Sequence, residues 1–435
     1  MFKLTVNQKV LQPEAKLWWQ IFQGSVLVLP LFPALGELGL FLVLLGVWRR
    51  SFAAIAQSTI NRGWLVLSLW LVINSGLAYQ SQEAWLGLAN FVPFFGLFAA
   101  VSNLINSFAR LKILAWLLVI PSIPIVILGL LQLYFNASIP SLLASILGWE
   151  LVPLGVPEGR MSSVFIYANF LAIYLSFSFI LSLGLWLDNW FAKKPHRIRI
   201  CLISLILVSN FVGLILANSR NSWLIVFLAC LSFALYLSWY WLVSLITAAI
   251  AVIFGASFGK FQGQQWLRKI VPEFIWGRLS DQMYPDRPIE TLRITQWQFC
   301  WLKIKERPIM GWGLRNFTPL YLEQTNYWFG HPHNLFIMLG LEIGAIATLF
   351  LCLIVGYILS SVSILLCKPQ KLNINAQEHL ILFTYLITFL SCVLFNIFDV
   401  SIFDLRVNTI SWIILSAIAG IVQFLSKADS KTSPQ

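Results

Sequence analysis

The stretch that decides the fold class is Leu111–Phe135, which reads LKILAWLLVIPSIPIVILGLLQLYF. It runs for 25 residues, and Lys112 is its one charged residue. A helix that crosses a bilayer needs about 20 predominantly apolar residues. The stretch therefore predicts a membrane-spanning segment.

The composition of the whole chain agrees with this prediction. Of the 435 residues, 59% are hydrophobic and 11% are charged, whereas soluble domains are about 45–50% apolar and about 25% charged. With a mean hydropathy of +0.81, a soluble enzyme, a disordered protein and a nucleic-acid-binding protein are excluded. Six cysteines without paired spacing predict neither a disulfide framework nor a zinc site. The first 16 residues carry no small-residue cleavage site, so no removable signal peptide is predicted.

The same criterion, applied along the chain, predicts an all-α polytopic membrane protein with about twelve transmembrane helices. The predicted spans lie near residues 17–33, 35–48, 63–79, 84–106, 111–135, 164–187, 200–217, 221–237, 239–259, 334–362, 379–398 and 408–425.

Charge asymmetry orients these spans. With a cytoplasmic N-terminus, most Lys and Arg residues fall in inside loops, and the short outside loops hold only Arg160, Arg220 and Arg406. This pattern follows the positive-inside rule and predicts that both termini are cytoplasmic. It also explains the net charge of +12. Four parts are predicted: an N-terminal bundle (1–135), central helices (136–259), a large periplasmic loop (260–333) and C-terminal helices (334–435).

Within the long loop, four apolar residues recur at three- and four-residue spacing: Ile294, Trp297, Trp301 and Ile304. This spacing predicts an amphipathic helix at the membrane surface that ends before Pro308 and carries Arg293 in its first turns. An aromatic run follows, with Phe317, Tyr321, Tyr327, Trp328 and Phe329. These side chains predict either an interfacial aromatic belt or a platform for sugar rings.

The segment HPHN at His331–Asn334 opens the tenth predicted span. Asn334 is a favourable N-cap residue, so His333 is predicted just before a helix N-terminus on the outer face. The positive end of the helix dipole disfavours imidazolium, which keeps His333 neutral and able to accept a proton. His333 is therefore a candidate general base; the alternative is a capping or interfacial histidine.

Three arginines are predicted on the same outer side: Arg160, Arg220 and Arg293. Arginine binds phosphate oxygens bidentately and stays charged at any relevant pH. Together with a neutral histidine they suit a pyrophosphate-bearing lipid, whereas each alone is consistent with snorkelling to lipid headgroups.

Ionisable residues inside the predicted spans are chiefly Glu37 and Glu342. A charge within the membrane is a functional candidate because its burial is costly. Glu342 lies between Gly340 and Gly344, a pair of small residues that permits close helix packing. Support of the His333 helix and catalysis are both consistent with Glu342.

Several of these stretches resemble the O-antigen ligase and polymerase-like membrane proteins. The matching pieces are NSRNSWLIVF, LRITQWQFCWLKIKERPIMGWGLRNF and HPHNLFIMLGLEIGAIATLF, within residues of about 205–355. A weaker match is GRMSSVFIYANFLAIYL, in which Ala168 stands where the family usually has proline.

The resemblance implies a membrane-embedded glycosyltransferase of the bacterial plasma membrane, without a cofactor or metal. Such enzymes move a glycan from an undecaprenyl-pyrophosphate carrier to an acceptor hydroxyl on a glycolipid, glycan or protein. By the resemblance Arg220 and Arg293 bind the donor pyrophosphate and His333 activates the acceptor. Arg160 and Asn169 match a further pair, and Asn334, Glu342 and Asp399 are supporting candidates.

The same domain also resembles proteins assigned to inorganic-carbon accumulation, through LRITQWQFCWLKIKERPIMGWG and NIFDVSIFDLR. A multi-pass transporter or accessory protein is therefore the alternative function. The presence of His333 and Asn334 favours the transferase, since that branch does not retain the ligase histidine. The lack of an obvious internal repeat points the same way.

Overall fold

The computed structural model describes residues 13–280, 288–367 and 374–432. Every helix or strand element assigned in these residues is helical. The α-helices are α1 (Pro13–Val28), α2 (Pro33–Gln57), α3 (Thr59–Gly76), α4 (Ser81–Gly87), α5 (Val92–Leu104), α6 (Phe108–Val119), α7 (Ser122–Tyr134), α8 (Ser141–Leu147), α9 (Ala168–Trp190), α10 (Arg197–Ala217), α11 (Arg220–Tyr236), α12 (Tyr240–Phe258), α13 (Gln264–Ile270), α14 (Glu273–Leu279), α15 (Arg293–Glu306), α16 (Phe317–Thr325), α17 (Leu335–Ile343), α18 (Ala345–Cys367), α19 (Ala376–Phe398) and α20 (Leu405–Thr432). Short 3₁₀ turns lie at Leu88–Asn90 and Ile289–Thr291.

The helices define an integral membrane protein. Among the described residues, nine segments are long and apolar enough to cross a bilayer: Pro33–Gln57, Ser81–Leu104, Phe108–Tyr134, Ala168–Trp190, Arg197–Ala217, Tyr240–Phe258, Ala345–Cys367, Ala376–Phe398 and Leu405–Ser426. The apolar helix Arg220–Tyr236 is shorter. The count of twelve spans, which also requires α1, α3 and α11, stays a prediction, as does the orientation of the termini.

Helix α9 lies at the centre of the bundle. It packs against α10, α19, α6 and α11, and most of its side chains are buried. A hydrogen bond from Nδ2 of Asn210 to Oγ of Ser178 (2.8 Å) joins α10 to α9 inside this core. Both residues are buried, and the bond gives the Asn210 amide N–H an acceptor, whereas Oδ1 of Asn210 makes no hydrogen bond within the described residues. The bond therefore joins two helices at the centre of the fold.

A second, smaller hydrophobic core lies between α15, α16 and α17. Its buried members are Phe299, Cys300, Phe317, Leu320, Tyr321 and Leu341. The predicted amphipathic helix is present as α15, which begins at Arg293 and ends before Pro308. Ile294 and Trp301 are exposed, as side chains that lie against lipid would be, whereas the side buried in the protein includes Gln296; the position of this helix at the membrane surface stays a prediction. The helix turns its other side to the small core because α17 packs against it there.

The tenth predicted span is not one continuous helix. Gly344 has φ of +84° and separates α17 from α18. A Cβ at this position would lie 1.8 Å from the carbonyl oxygen of Ile309, so only glycine permits the chain to pass here. The backbone N–H of Ala345 then donates to Pro308 (2.8 Å). The apolar pattern of 334–362 concealed this break.

Candidate active site

The turn that carries the predicted base consists of the four residues His331–Asn334, directly before α17. Asn334 caps the helix as predicted, since its Oδ1 accepts a hydrogen bond from the backbone N–H of Ile337 at 3.0 Å. His333 has φ of +55°, a left-handed conformation that is uncommon outside glycine. Its backbone N–H donates to Nδ1 of His331 at 3.2 Å. These contacts set the direction in which the His333 ring points.

The His333 ring points at Asp399. Its Nδ1 lies 3.2 Å from Oδ1 of Asp399, which follows the last residue of α19. The same oxygen accepts from the backbone N–H of Val400 at 2.9 Å. Asp399 is buried, whereas the His333 side chain keeps 29% of its surface exposed. With Nδ1 donating to the carboxylate, Nε2 is the nitrogen available to a substrate.

Asp399 is held from its other side by the pair that matched the family only weakly. Nδ2 of Asn169 donates to Oδ2 of Asp399 at 2.6 Å, and Nη2 of Arg160 donates to Oδ1 of Asn169 at 2.6 Å. Nε of Arg160 donates to the carbonyl of Ala217, at the end of α10, at 2.9 Å. A continuous chain of hydrogen bonds therefore runs from Arg160 through Asn169 and Asp399 to His333.

The departure from the family pattern at Ala168 has a structural consequence. The backbone N–H of Ala168 donates to the carbonyl of Val156 at 2.8 Å. Proline has no backbone N–H and could not make this bond. The bond ties the start of α9, where Asn169 lies, to the segment that carries Arg160.

Helix α11, which begins at Arg220, adjoins the last turn of α19 through the neighbouring residue Asn221. Arg220 is the first residue of α11, and the next residue, Asn221, donates from Nδ2 to the carbonyl of Phe395 at 2.9 Å. The same carbonyl accepts the backbone N–H of Asp399 at 3.0 Å. The N-terminus of α11 therefore adjoins the end of α19, and its dipole adds positive potential at this point.

Arg293, the first residue of α15, lies on the other flank of the cluster. Burial is the main cause of the low pKa of His331, and the hydrogen bond with His333 is the main cause of the low pKa of Asp399; the charge of Arg293 adds a smaller lowering to each. One turn further along α15, Nε1 of Trp297 donates to the carbonyl of Pro332 at 2.9 Å. The sequence pattern places Trp297 on an apolar stripe and does not indicate this contact, because an indole N–H has no specific partner in a sequence pattern.

The pKa values of His331 and Asp399 define the charge state of the cluster. Burial lowers the pKa of His331 to about 4, against the opposing charge of Asp399, so His331 is neutral at ordinary pH. Burial alone would raise the pKa of Asp399, but the hydrogen bond with His333 and the nearby positive groups lower it to about 2. The cluster therefore contains the Asp399 carboxylate, a neutral His331 and the guanidinium groups of Arg160 and Arg293.

His331, His333 and Asp399 are residue types that bind metal ions, and their ligand atoms lie within 4.8 Å of one another. Two features favour hydrogen bonding instead. Nδ1 of His331 already accepts the His333 N–H, which places the ring proton on Nε2, the atom that faces Asp399 at 3.8 Å. The charge of Arg293 also disfavours a second cation. The sequence prediction of no metal stays a prediction.

Glu342 stands apart from this cluster. Its side chain accepts from the backbone N–H of Phe317 at 3.5 Å, and its carbonyl accepts from Gly313 at 2.8 Å. Burial raises the pKa of Glu342 to about 8, and the charge of Arg315 opposes this shift. The carboxyl group therefore fastens the segment between α15 and α16, and the structure gives it no contact with His333.

The aromatic run divides into two groups. Phe317 and Tyr321 are fully buried in the small core and cannot serve as a platform. Tyr327 and Trp328 are exposed, with Trp328 at 70%. The exposed pair is consistent with either prediction made from the sequence.

The fold and the site together define a class of protein. It is an all-helical integral membrane protein in which a charged cluster adjoins the turn that carries His331 and His333. A family model described as O-antigen ligase matches residues 202–352. The match confirms the resemblance of this chain to the O-antigen ligase-like family. The matched segment contains Arg220, Arg293, His333, Asn334 and Glu342. No curated protein matches the chain.

Proposed function

We propose that this protein is a membrane glycosyltransferase that moves a glycan from an undecaprenyl-pyrophosphate carrier to an acceptor hydroxyl. The observation that carries the proposal is the pairing of His333 with Asp399, 3.2 Å apart, in a chain that matches the O-antigen ligase family model. The acceptor belongs to a glycolipid, a glycan or a protein. In a bacterial cell the protein lies in the plasma membrane, with this site on the periplasmic side.

The base is His333. In the reaction the acceptor oxygen bonds to the anomeric carbon of the sugar while its proton passes to Nε2 of His333. The bond from that carbon to the pyrophosphate oxygen breaks, and the electron pair leaves with the lipid pyrophosphate. Asp399 holds Nδ1–H of the ring and stabilises the imidazolium that forms, as a carboxylate does beside a catalytic histidine. The imidazolium then releases its proton to solvent.

The donor pyrophosphate is bound by Arg220 and Arg293. Their positions at the starts of α11 and α15, on two sides of the Asp399 region, suit a group with several anionic oxygens. The charge that develops on the departing pyrophosphate is stabilised by these fixed guanidinium groups, so the chemistry needs no metal ion. Arg160 is engaged with Asn169 and Ala217 and acts through Asp399 as a positioning residue.

A cavity of about 270 Å³ supports a lipid-linked donor. It lies between α17, α18, α19 and α20, and its wall includes Leu335 and Leu339 of the helix that follows the histidine turn. Most of its lining is apolar, with Asn396 and Ser401 on the side of Asp399. Hydrocarbon that lies next to the polar cluster is stabilised when it is buried in an apolar cavity, away from water. We assign the cavity to the first isoprene units of the carrier.

The comparisons give no support to the alternative of inorganic-carbon transport. Part of the stretch that suggested it, around Asp404 and Arg406, forms a buried ion pair at 2.9 Å, and Arg406 also donates to the carbonyl of Val164 at 2.8 Å. These contacts hold the loop after α19 in place. They explain the motif by structure without a transported ion.

The test is transfer by the purified protein in nanodiscs from a lipid-pyrophosphate glycan, with no nucleotide and no metal added. The proposal predicts a new glycosidic product and free lipid pyrophosphate in equal amounts. If a range of donors and acceptors yields no product while reconstituted vesicles accumulate bicarbonate, the transporter alternative is correct.

A further inference from the structure

We infer that Trp297 is a positioning residue for the base, and that it couples helix α15, which begins at the donor-binding Arg293, to the turn that carries His333. The inference rests on the proposed function and assigns a role to a residue outside the catalytic pair. The observation behind it is the hydrogen bond from Nε1 of Trp297 to the carbonyl of Pro332, at 2.9 Å.

The peptide group between Pro332 and His333 is held at both of its polar atoms. Its carbonyl accepts from Trp297, and its N–H donates to Nδ1 of His331 at 3.2 Å. A peptide group is planar, so two bonds in opposite directions fix its orientation. That orientation sets φ of His333, which lies at +55°.

This conformation needs external support. A residue with a Cβ is less stable in the left-handed region than in the right-handed one, so His333 keeps it only while its surroundings impose it. With φ so fixed, the ring reaches Asp399 through Nδ1 and leaves Nε2 open. If the peptide group turned, the ring would lose its contact with the carboxylate.

Helix α15 carries both the donor-binding and the positioning group. Arg293 and Trp297 are four residues apart and therefore lie on the same face, about one turn from each other. The face is rigid because α15 packs against α17, the helix that Asn334 caps. Any shift of α15 that moves Arg293 also moves the indole N–H of Trp297, which donates to the carbonyl of Pro332. Pyrophosphate binding and base orientation are therefore set by one helix.

The decisive variant is Trp297→Phe, which keeps the aromatic ring and removes the N–H. Its matched control is Trp301→Phe, one turn along the same helix, where the indole is 57% exposed. A second pair tests the other end of the peptide group. His331→Asn retains an acceptor close to the position of Nδ1, whereas His331→Leu removes it.

Trp297→Phe should lower kcat about 10-fold and leave KM for the donor within about twofold, since a small misplacement of a catalytic group slows the chemical step. Trp301→Phe should match the parent. His331→Leu should behave as Trp297→Phe does, and His331→Asn should recover part of the loss.

A second measurement needs no transfer activity. The chain has four histidines, so the ¹⁵N signals of the rings can be followed at one fixed pH in labelled protein in nanodiscs. Trp297→Phe should shift the His333 ring signals, because Nδ1 loses its contact with the Asp399 carboxylate, and leave those of His196 and His379 unchanged. Unchanged His333 ring signals, or a loss of Tm with kcat intact, would overturn the inference. If the parent shows no transfer, the proposed function fails, while the ring signals still decide the role of Trp297.

Discussion

Nδ1 of His333 lies 3.2 Å from Oδ1 of Asp399, although 66 residues separate them in the chain. The contact joins the turn before α17 to the end of α19 and gives the exposed ring a buried carboxylate partner. A histidine oriented in this way can accept a proton on its other nitrogen and hold the resulting charge.

Asp399→Asn should lower kcat by about 10²–10⁴-fold, the range that general acid–base catalysis supplies. The amide still accepts from the backbone of Val400, but it carries no charge to stabilise imidazolium. Steady-state transfer kinetics measure the effect. Asp188→Asn is the control, since it breaks an ion pair with Lys112 outside the cluster. Equal losses in the two variants would show that Asp399 has no special role.

Arg220→Ala and Arg293→Ala should each weaken donor binding and transfer by about 10–150-fold, which corresponds to about 1.5–3 kcal/mol for a charge-assisted hydrogen bond. Lysine at either position should restore part of the loss, because it keeps the charge without the planar fork. Lys260→Ala, at an exposed position, is the control for net charge. Titration of labelled polyprenyl pyrophosphate gives the affinities, and parent-like binding by both alanine variants would refute the donor site.

Thermal stability should fall as the pH is lowered from about 6.5 to about 4. The pKa of His331 is lowered by burial from 6.5 to about 4. In this window the unfolded chain binds a proton that the folded chain does not. The pKa of Asp399 is lowered from 3.8 to about 2, so its contribution is present above about pH 4 and is lost as the pH falls through that lower range. Tm against pH should be flatter for His331→Asn between pH 6.5 and 4; an identical slope would contradict the assignment.

Gly356→Trp should raise KM for a long-chain donor about 10-fold and leave kcat nearly unchanged. Gly356 lines the cavity beside α17, and a Cβ there would meet no atom within 4 Å, so a side chain at this position starts in open space. Gly356→Ala is the matched control and should resemble the parent. A donor with a short isoprenoid should be affected less by the tryptophan. Equal KM changes for long and short donors would place the hydrocarbon elsewhere.

The parts of the site that a local pattern encodes could be predicted from the sequence. The HPHN turn predicted that Asn334 is an N-cap, and the spacing from Ile294 to Ile304 predicted α15 with Arg293 at its start. Composition and the lengths of the apolar segments predicted an all-helical membrane protein, and nine segments among the described residues meet the length and apolarity that a span needs.

The parts that depend on distant segments could not be predicted. Asp399 carried no local signal beyond its position after a span, and its contact with His333 exists because the end of α19 meets the turn before α17. Gly344 looked like one half of a small-residue packing pair. Gly340 does allow Ile304 of α15 to approach closely, but Gly344 ends a helix instead. An apolar pattern does not reveal this end of a helix, because the need for glycine arises from the nearby carbonyl of Ile309, which is distant in the sequence.

The measurement that tests the central claim most directly compares purified parent protein with His333→Ala in nanodiscs. Glycan transfer and binding of the lipid-pyrophosphate donor are followed together, with no nucleotide or metal present. The variant should transfer about 10²–10⁴-fold more slowly, the usual contribution of a general base. Its donor affinity should match that of the parent, since pyrophosphate binding is assigned to Arg220 and Arg293 and not to His333. An active parent with an equally active variant would contradict the assignment of His333 as the base.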